Sequence, residues 1–267
     1  MILGPGHEKP IIGMVHLKPL PGTPDYGGDL QAVISRAVED ARALEAGGAN
    51  AVLIQNRWDR AIPKQRAPVE TVVAATRIAH AVRDAVDVEL GVHLLRNDVV
   101  ASLAVAALCG GSFIRAAALT GASWSSQGII EPDTMHILHE RARIGADGVA
   151  ILADVWSMHY RPAVPMRPAQ LAADAQAAGA AAVLVAAAET DEALGLIAEI
   201  RASVGPFPIL LGGYSTEENI GRLLEAADGA VVGAAFEDPE RDRRVVEERV
   251  RSFVRAARGT AWKGGAS

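Results

Sequence analysis

Residues 10–28 read Pro10-Ile-Ile-Gly-Met-Val-His-Leu-Lys-Pro-Leu-Pro-Gly-Thr-Pro-Asp-Tyr-Gly-Gly28 and introduce the unit on which the rest of the chain is built. A short apolar run ends in His16 and leads into a segment dense in proline and glycine, which predicts a buried strand followed by a loop. The prolines cannot donate to a strand ladder or continue a helix, so we expect a stiff loop. Polar residues at such a strand end carry the chemistry of many α/β proteins, although His16 could also serve only to hold a turn.

The same unit, an apolar strand followed by a polar residue and a helix, recurs along the chain. Helical spacing of apolar residues is clearest in residues 30–46, which are followed by the helix-terminating pair Gly47 and Gly48. The predicted strands are residues 11–15, 51–54, 88–95, 112–116, 148–154, 181–185, 208–211 and 229–232. The predicted helices are residues 30–46, 68–85, 99–108, 132–144, 168–178, 191–204, 216–226 and 239–257, and residues 122–131 are predicted to form a loop.

Eight strand–helix units in about 250 residues predict a single (β/α)8 barrel, the TIM-barrel fold of the α/β class. Strands that are almost entirely apolar require parallel pairing with both faces covered. An open, doubly wound sheet is the alternative, but it needs edge strands, and none of the predicted strands is polar enough to be one. We therefore expect one TIM-barrel domain over residues 1–267, with its core at about residues 10–257.

Composition excludes several classes of function. The chain has 267 residues, 22% of them charged, and a net charge of −6, with lysine and arginine scattered rather than clustered, so we expect no nucleic-acid partner. The single cysteine, Cys109, rules out an internal disulfide framework and fits a reducing compartment. No signal-peptide pattern precedes the first strand, and no apolar run is long enough to span a membrane. These features predict a cytoplasmic protein.

Alternation of side chains along the strands places four ionisable residues at the mouth of the predicted barrel. Asp154 is in phase with Ala150 and Leu152, and the same parity directs His16, His93 and Arg115 inward. We expect Asp154 to act as a base, His16 or His93 as its partner acid and Arg115 as an anion clamp, so that loss of the Asp154 charge would reduce activity rather than stability. His159, in the loop after strand five, completes the candidate catalytic set.

Two further kinds of site are open at the same mouth. Imidazole and carboxylate groups are suitable ligands for a divalent metal, with His16, His93 and Asp154 as candidates, although no compact metal motif occurs and no cofactor is certain. Glycine-rich strand ends are typical of phosphate sites in barrels, although they can also reflect close packing of turns. The candidate phosphate-binding residues are Gly212, Gly213, Gly233 and Ala234. We expect the opening loop to cover this mouth and to bring Leu20 or Tyr26 toward the ligand.

Several stretches of the chain resemble the BtpA/SgcQ family, and the likeness extends from about residue 10 to residue 257. They are Ile12-Gly-Met-Val-His-Leu-Lys-Pro-Leu-Pro-Gly22, Leu95-Arg-Asn-Asp98, Phe113-Ile-Arg115 with Leu119-Thr-Gly-Ala122, Gln127-Gly-Ile-Ile-Glu131 and Ile151-Leu-Ala-Asp-Val155. The resemblance implies a phosphate-binding barrel. The candidate substrate-binding residues at strand ends and in these motifs are Asn56, Asn97, Gln127 and Glu189.

The resemblance leaves two functions open. Some family members are encoded among sugar-metabolism genes, which favours an isomerase or lyase that acts on a small phosphorylated sugar-like or nucleoside-like molecule. The family takes its name from a protein needed for the accumulation of photosystem I, which favours a non-catalytic assembly or stability factor. Fold alone cannot decide between them. In either case we expect a homo-oligomer, because the alanine-rich outer helices permit close contacts.

The chain departs from the family pattern at positions that carry acid–base capacity. Gln55 stands where members usually have glutamate, and His93 stands where asparagine is frequent. Trp156 and Met158 replace a histidine and a lysine that commonly follow the strand-five aspartate. An amide in place of a carboxylate changes which protons can be held, and not only the shape of the site. These departures leave two expectations for this chain: a chemistry that differs from that of a typical member, or none.

Overall fold

The apolar runs of the sequence form strands that pair side by side and close on themselves. The computed structural model describes residues 9–259. The strands are β1 (Ile11–His16), β2 (Ala51–Gln55), β3 (Glu89–His93), β4 (Phe113–Ala116), β5 (Ser123–Ser125), β6 (Gly128–Ile130), β7 (Ala150–Trp156), β8 (Arg161–Pro162), β9 (Ala182–Val185), β10 (Ile209–Leu211), β11 (Ala230–Val232), β12 (Glu237–Asp238) and β13 (Arg244–Val245). The helices are α1 (Leu30–Ala46), α2 (Val69–Ala85), α3 (Val99–Leu108), α4 (Thr134–Arg143), α5 (Pro168–Ala177), α6 (Thr190–Val204), α7 (Ile220–Leu223) and α8 (Glu247–Arg258).

Eight of the strands form a closed parallel barrel in the order β1-β11-β10-β9-β7-β4-β3-β2, with a helix after each strand. This confirms the predicted (β/α)8 fold. The parallel arrangement brings the carboxyl ends of all eight strands to one end of the barrel, where the following loops surround a common mouth. Within the described residues, no helix has both the length and the apolar character needed to cross a membrane.

Three predicted segments differ from the structure, and all three lie in connections around the barrel. Residues 122–131, predicted as a loop, contain the hairpin β5–β6, which also pairs with β8. The helix predicted over residues 216–226 is only the four-residue α7, flanked by turns. The last helix begins at Glu247 rather than at residue 239, because the preceding residues form the antiparallel pair β12–β13. In segments this short, sequence patterns do not distinguish a loop or a helix from turns and local strand pairing.

The interior of the barrel follows the predicted alternation of side chains. Its buried apolar cluster consists of Ile12, Met14, Ala51, Leu53, Phe113, Ala150, Leu152, Ala182, Leu184, Leu210 and Val231. At the centre, the ring of Phe113 fills the space that a side chain at Gly91 would need. These residues close the barrel below its mouth, so a ligand can enter only from the carboxyl ends of the strands.

The opening loop is fixed against the barrel wall rather than over the mouth. Leu20 is buried within the larger cluster that packs between strands and helices, and its backbone N–H donates to Asp59 Oδ1 at 2.9 Å. The Thr71 hydroxyl donates to the carbonyl of Pro21 at 2.8 Å. The expected approach of Leu20 to a ligand is therefore wrong: an apolar side chain gains more by burial in this layer than by exposure at a polar mouth.

We expect Gly91→Ala to reduce the free energy of unfolding by about 2 kcal/mol, because overpacking a filled core costs this much. An added Cβ would lie 2.2 Å from Phe113 Cε2, and that ring is fully buried. Urea denaturation gives the measurement. In the control Gly195→Ala, the new methyl group contacts nothing in the exposed face of α6, and helix propensity should stabilise the protein slightly. Wild-type stability of Gly91→Ala would contradict the described packing.

Candidate active site at the barrel mouth

A cavity of about 540 Å³ opens at the carboxyl ends of the barrel strands. Its ionisable wall residues are His16, Arg57, His93, Arg96, Arg115, His159, Tyr160 and Tyr214. Of the described residues that line the cavity, none is aspartate or glutamate. Three guanidinium groups in one concave, partly desolvated space create a positive potential that attracts anions. The cavity is therefore suited to a negatively charged ligand.

Arg115 at the base of the cavity is held by Asp154 from the neighbouring strand β7. Arg115 Nε donates to Asp154 Oδ2 and Nη2 donates to Oδ1, both at 2.9 Å, and both side chains are almost completely buried. Burial alone would lower the pKa of Arg115, but the charge and hydrogen bonds of Asp154 outweigh it and raise the pKa. The pair keeps a charged guanidinium fixed in the cavity wall.

This pairing assigns Asp154 a different role from the predicted one. Both carboxylate oxygens face the guanidinium, and Asp154 is not among the residues that line the cavity. Asp154 is in phase with Leu152 and points inward, as its parity predicted, but its carboxylate is paired with Arg115, and it is Arg115 that lines the cavity. In this structure the Asp154 carboxylate is therefore engaged in holding Arg115 and is not free to act as a base.

His93, at the end of β3, is buried beside the amide of Gln55. Gln55 Nε2 lies 2.8 Å from His93 Nδ1, whereas His93 Nε2 has no hydrogen-bond partner among the described residues. Burial, followed by the charges of Arg115 and Arg96, holds the pKa of His93 well below its usual range. The imidazole is therefore neutral at physiological pH, and one of its nitrogens is left without a protein partner in the wall of the cavity.

His16, at the end of β1, is oriented by a carboxylate that the sequence prediction missed. His16 Nδ1 contacts Glu237 Oε1, and Glu237 is buried in β12. Gly233 makes room for the ring, since a Cβ there would lie 2.7 Å from His16 Cε1. Glu237 was overlooked because the sequence predicted only an approach to the last helix in this segment. The sequence signal that could have identified Glu237 was its position a few residues beyond the end of β11.

The rim of the cavity carries further positive charge. Partial burial, together with the charges of Arg57, Arg96 and Arg115, lowers the pKa of His159. Arg96 Nε donates to Gln127 Oε1 at 2.8 Å, so Gln127 holds an arginine at the rim instead of facing the ligand. Arg57 and Arg96, which sequence analysis did not single out, follow β2 and β3 by two and three residues. The sequence signal that could have identified both arginines was their position just beyond a predicted strand end.

The remaining predicted binding residues divide into two groups. Asn56, Asn97 and Glu189 do not line the cavity. Asn56 Oδ1 accepts from Leu95 N at 2.8 Å, and Asn97 pairs with both backbone groups of Ala118, so these amides connect the loops around the mouth. Glu189 is exposed at the start of α6.

The residues predicted to hold phosphate do line the cavity, together with the backbone that follows β10 and β11. They are Gly212, Gly213, Gly233 and Ala234. Tyr214 adopts a left-handed conformation with φ 60°, which is unusual for a non-glycine residue and directs the turn into Ser215. The buried Ser215 hydroxyl, also in the cavity wall, has no hydrogen-bond partner among the described residues. A ligand oxygen would satisfy it.

The candidate metal ligands are not arranged to hold an ion. His16 faces Glu237, Asp154 is bound to Arg115, and His93 is surrounded by positive charge. Across residues 9–259, no three histidine, cysteine, aspartate or glutamate side chains form a cluster that could hold a metal. Tyr26 is also absent from the cavity wall, so the opening loop does not supply the expected ligand contact.

Comparisons with known proteins agree with the fold and with the resemblance seen in the sequence. The profile of the BtpA family matches residues 7–259. The photosystem I biogenesis protein BtpA of Synechocystis sp. is 35% identical over 254 residues, which cover 93% of this chain and 88% of that protein. The putative sgc region protein SgcQ of Escherichia coli is 29% identical over 238 residues, covering 86% and 87% of the two chains.

Thiamine phosphate pyrophosphorylase from Pyrococcus furiosus is a similar solved structure. It matches with a TM-score of 0.58 and 16% identity, and the alignment covers 94% of this chain and 95% of that one. At this level of identity the likeness concerns the barrel fold alone.

We expect Asp154→Asn to reduce the free energy of unfolding by about 3 kcal/mol, because it leaves the buried guanidinium of Arg115 without its counter-charge. Thermal and urea denaturation give the measurement. The matched control is Glu199→Gln, which breaks the more exposed Arg167–Glu199 pair and should change stability by less than about 1 kcal/mol. If Asp154→Asn were as stable as wild type, the carboxylate would regain its predicted role as a catalytic base.

We expect His93 to make stability depend on pH. Its pKa is lower in the folded than in the unfolded protein, so its contribution is present above the unfolded value of about 6.5 and is lost as pH falls toward the folded value. Between pH 7.5 and 5, wild type should therefore lose stability more steeply than His93→Gln, by up to about 1.4 kcal/mol per pH unit.

Urea denaturation across this pH range measures the difference between the two slopes. The raised pKa values of the buried Asp40, Asp59 and Asp98, each caused first by burial, act in the opposite direction but occur in both proteins and cancel. His80→Gln, at a largely exposed position on α2, is the control and should follow the wild-type curve. Identical slopes for wild type and His93→Gln would show that His93 takes up a proton in the folded state.

Proposed function

The chain belongs to the BtpA family, and we propose that it is an enzyme that acts on a small phosphorylated molecule by acid–base chemistry of the isomerase or lyase type. The single observation that carries this proposal is the composition of the cavity wall, which combines arginines and histidines and, among the residues described by the structure, includes no carboxylate. Arginine favours anion binding, and histidine favours proton transfer near neutral pH. A sugar-like or nucleoside-like phosphate has both the charge and the exchangeable protons that such a wall would serve.

The phosphate is proposed to bind between the turn after β10 and the turn after β11. Both turns line the cavity with backbone and with small side chains, and Ser215 adds an unsatisfied hydroxyl. Barrels commonly bind phosphate at this pair of strand ends, where backbone N–H groups can approach it closely. Arg115, fixed at the base, would then contact a second negatively charged or polar group of the substrate.

The proton-transfer role that the sequence suggested for Asp154 passes in this proposal to His16. A carboxylate on one imidazole nitrogen orients the ring and stabilises the charge that forms when the other nitrogen accepts a proton. Glu237 provides this contact, and the ring lines the cavity. His93 and His159, which line the same cavity, are then available as donors. The candidate acid–base residues are therefore histidines, and Asp154 acts only by holding Arg115 in place.

A second candidate function is that of a non-catalytic factor, and it is supported by the name of one relative. The Synechocystis protein, 35% identical to this chain, is a photosystem I biogenesis protein. A protein that acts only by association has no need for unsatisfied polar atoms deep in a cavity, and His93 Nε2 and Ser215 Oγ are two such atoms. Their presence favours the enzyme over the assembly factor.

The cellular setting forms part of the proposal. One cysteine in 267 residues, reduced and buried, suits the cytoplasm. Self-association is proposed through the outer helices, where α2 exposes Val69 and Val73 one turn apart. Apolar side chains in such positions are often covered in oligomers.

Calorimetric titration with inorganic phosphate and with glycerol 3-phosphate tests the anion site. Ala234→Asp adds a carboxylate at an exposed position of the cavity wall, and Ala234→Asn adds a neutral group of the same size. We expect the aspartate variant to bind either phosphate at least about tenfold more weakly than the asparagine variant, because like charges repel at this distance. Equal binding by the two variants, or no binding by wild type, would contradict a phosphate site here.

A further inference from the structure

Three residues from adjacent strands form one row across the floor of the cavity. His16 pairs with Gln55 in the register of β1 and β2, and Gln55 pairs with His93 in the register of β2 and β3. All three line the same cavity. Neighbouring parallel strands lie about 4.8 Å apart, so the two imidazoles face one ligand-sized space from either side of the glutamine. We propose that this row divides proton donation and proton acceptance between the two histidines, and that Gln55 is the positioning residue that enforces the division.

The contact between Gln55 and His93 defines where the His93 proton resides. The amide nitrogen of Gln55 can only donate, and it faces His93 Nδ1 at 2.8 Å. His93 Nδ1 must therefore accept, and in a neutral imidazole the proton then lies on Nε2. Nε2 is the buried atom that has no partner among the described residues. Gln55 thus presents His93 to the ligand as a neutral hydrogen-bond donor.

The contact between Glu237 and His16 gives the opposite result. A carboxylate accepts hydrogen bonds, so Glu237 places the His16 proton on Nδ1 and leaves the lone pair on Nε2. His16 Nε2 lies on the side of the ring near Gly233, which lines the cavity. His16 is consequently presented as a base and His93 as a donor.

This division specifies the substrate class, and it rests on the proposed function. A base opposite a neutral donor suits a carbonyl compound with an acidic C–H bond beside the carbonyl group. His16 Nε2 accepts the proton of that C–H bond, the bonding pair forms a C=C bond, and the carbonyl π pair moves to oxygen. His93 Nε2–H donates to that oxygen as its negative charge develops.

The products follow from where the protons return. In an α-hydroxycarbonyl phosphate, the hydroxyl proton passes to the former carbonyl oxygen, and the proton on His16 returns to the former carbonyl carbon. The hydroxyl-bearing carbon thereby becomes the carbonyl carbon, so the substrate is isomerised with no atom gained or lost. The inferred ligand is therefore an α-hydroxycarbonyl phosphate rather than a phosphate ester without a carbonyl group.

The tautomers can be measured in the intact protein without knowing the substrate. Long-range ¹H–¹⁵N correlation spectra of the full chain labelled at histidine distinguish protonation at Nδ1 from protonation at Nε2, with His93→Gln used to assign the signals. We expect the His93 proton on Nε2 and the His16 proton on Nδ1 at pH 7.5. Protonation of His93 on Nδ1, or on both nitrogens, would overturn the inference.

Substitution of Gln55 tests its positioning role. Gln55→Glu replaces the donor with an acceptor of the same shape, so the His93 proton should move to Nδ1. Gln55→Met removes the amide without adding charge, and it should produce a mixture of tautomers. It serves as the second variant in case a buried carboxylate impairs folding. Unchanged His93 signals in folded Gln55→Met would show that Gln55 does not set the tautomer.

Ligand binding separates this inference from the proposed function. We expect wild type to bind 2-phosphoglycolate, whose carboxylate resembles the charged intermediate, about tenfold more tightly than glycerol 3-phosphate, and Gln55→Glu to lose that preference. Inorganic phosphate should bind wild type and the uncharged variant Gln55→Met within about threefold. Loss of the phosphate site alone would remove the proposed function and with it the substrate class, whereas reversed tautomers with phosphate bound would remove only this inference.

Discussion

The buried pair between Arg115 and Asp154 is the constraint around which the barrel mouth is built. Removing two charges from water costs several kcal/mol for each ion, and the paired hydrogen bonds at 2.9 Å offset much of that cost. A barrel that needed only stability could fill the same volume with apolar side chains at no loss. The presence of this charged pair is better explained by a site in which a fixed positive charge faces a ligand.

The packing below the mouth determines how far such a ligand can enter. Phe113 occupies the barrel centre opposite Gly91, and the interior is closed by aliphatic side chains. Arg115 lies two residues after Phe113 on β4, so its side chain points to the same interior face. The same alternation that fills the core therefore places the first charged group directly above it, and the cavity floor is the top layer of the core.

Sequence patterns predicted the barrel and the inward-facing residues, because both depend on local periodicity. Leu152 and Asp154 share a face because they are two residues apart on one strand. The limits of α1 and α3 likewise match the predicted helices. Local periodicity could not predict which side chains pair with one another across the barrel. Whether Asp154 is free or bound to Arg115 depends on side-chain reach between two strands, which period-2 alternation does not encode.

The same limit explains which site residues were missed. Glu237 and Arg96 reach the mouth from connections, where no periodicity fixes a direction. Asn56 and Asn97 were predicted as ligand contacts from their position after strands, yet their amides are used by the loops themselves. A polar residue near a strand end has two alternatives, the ligand and the unpaired backbone of the next loop, and only the folded structure distinguishes them.

Charge in the cavity links ligand binding to protonation. The pKa of His93 is lowered first by burial and then by the charges of Arg115 and Arg96, and the pKa of His159 is lowered first by partial burial and then by the charges of Arg57, Arg96 and Arg115. An anion bound among the arginines would offset that repulsion and make each imidazole easier to protonate. The positive charges of the cavity wall by themselves favour the neutral forms of His93 and His159. In the proposed enzyme, a phosphate bound among the arginines would therefore both anchor the substrate and raise the pKa of these two imidazoles toward neutral pH.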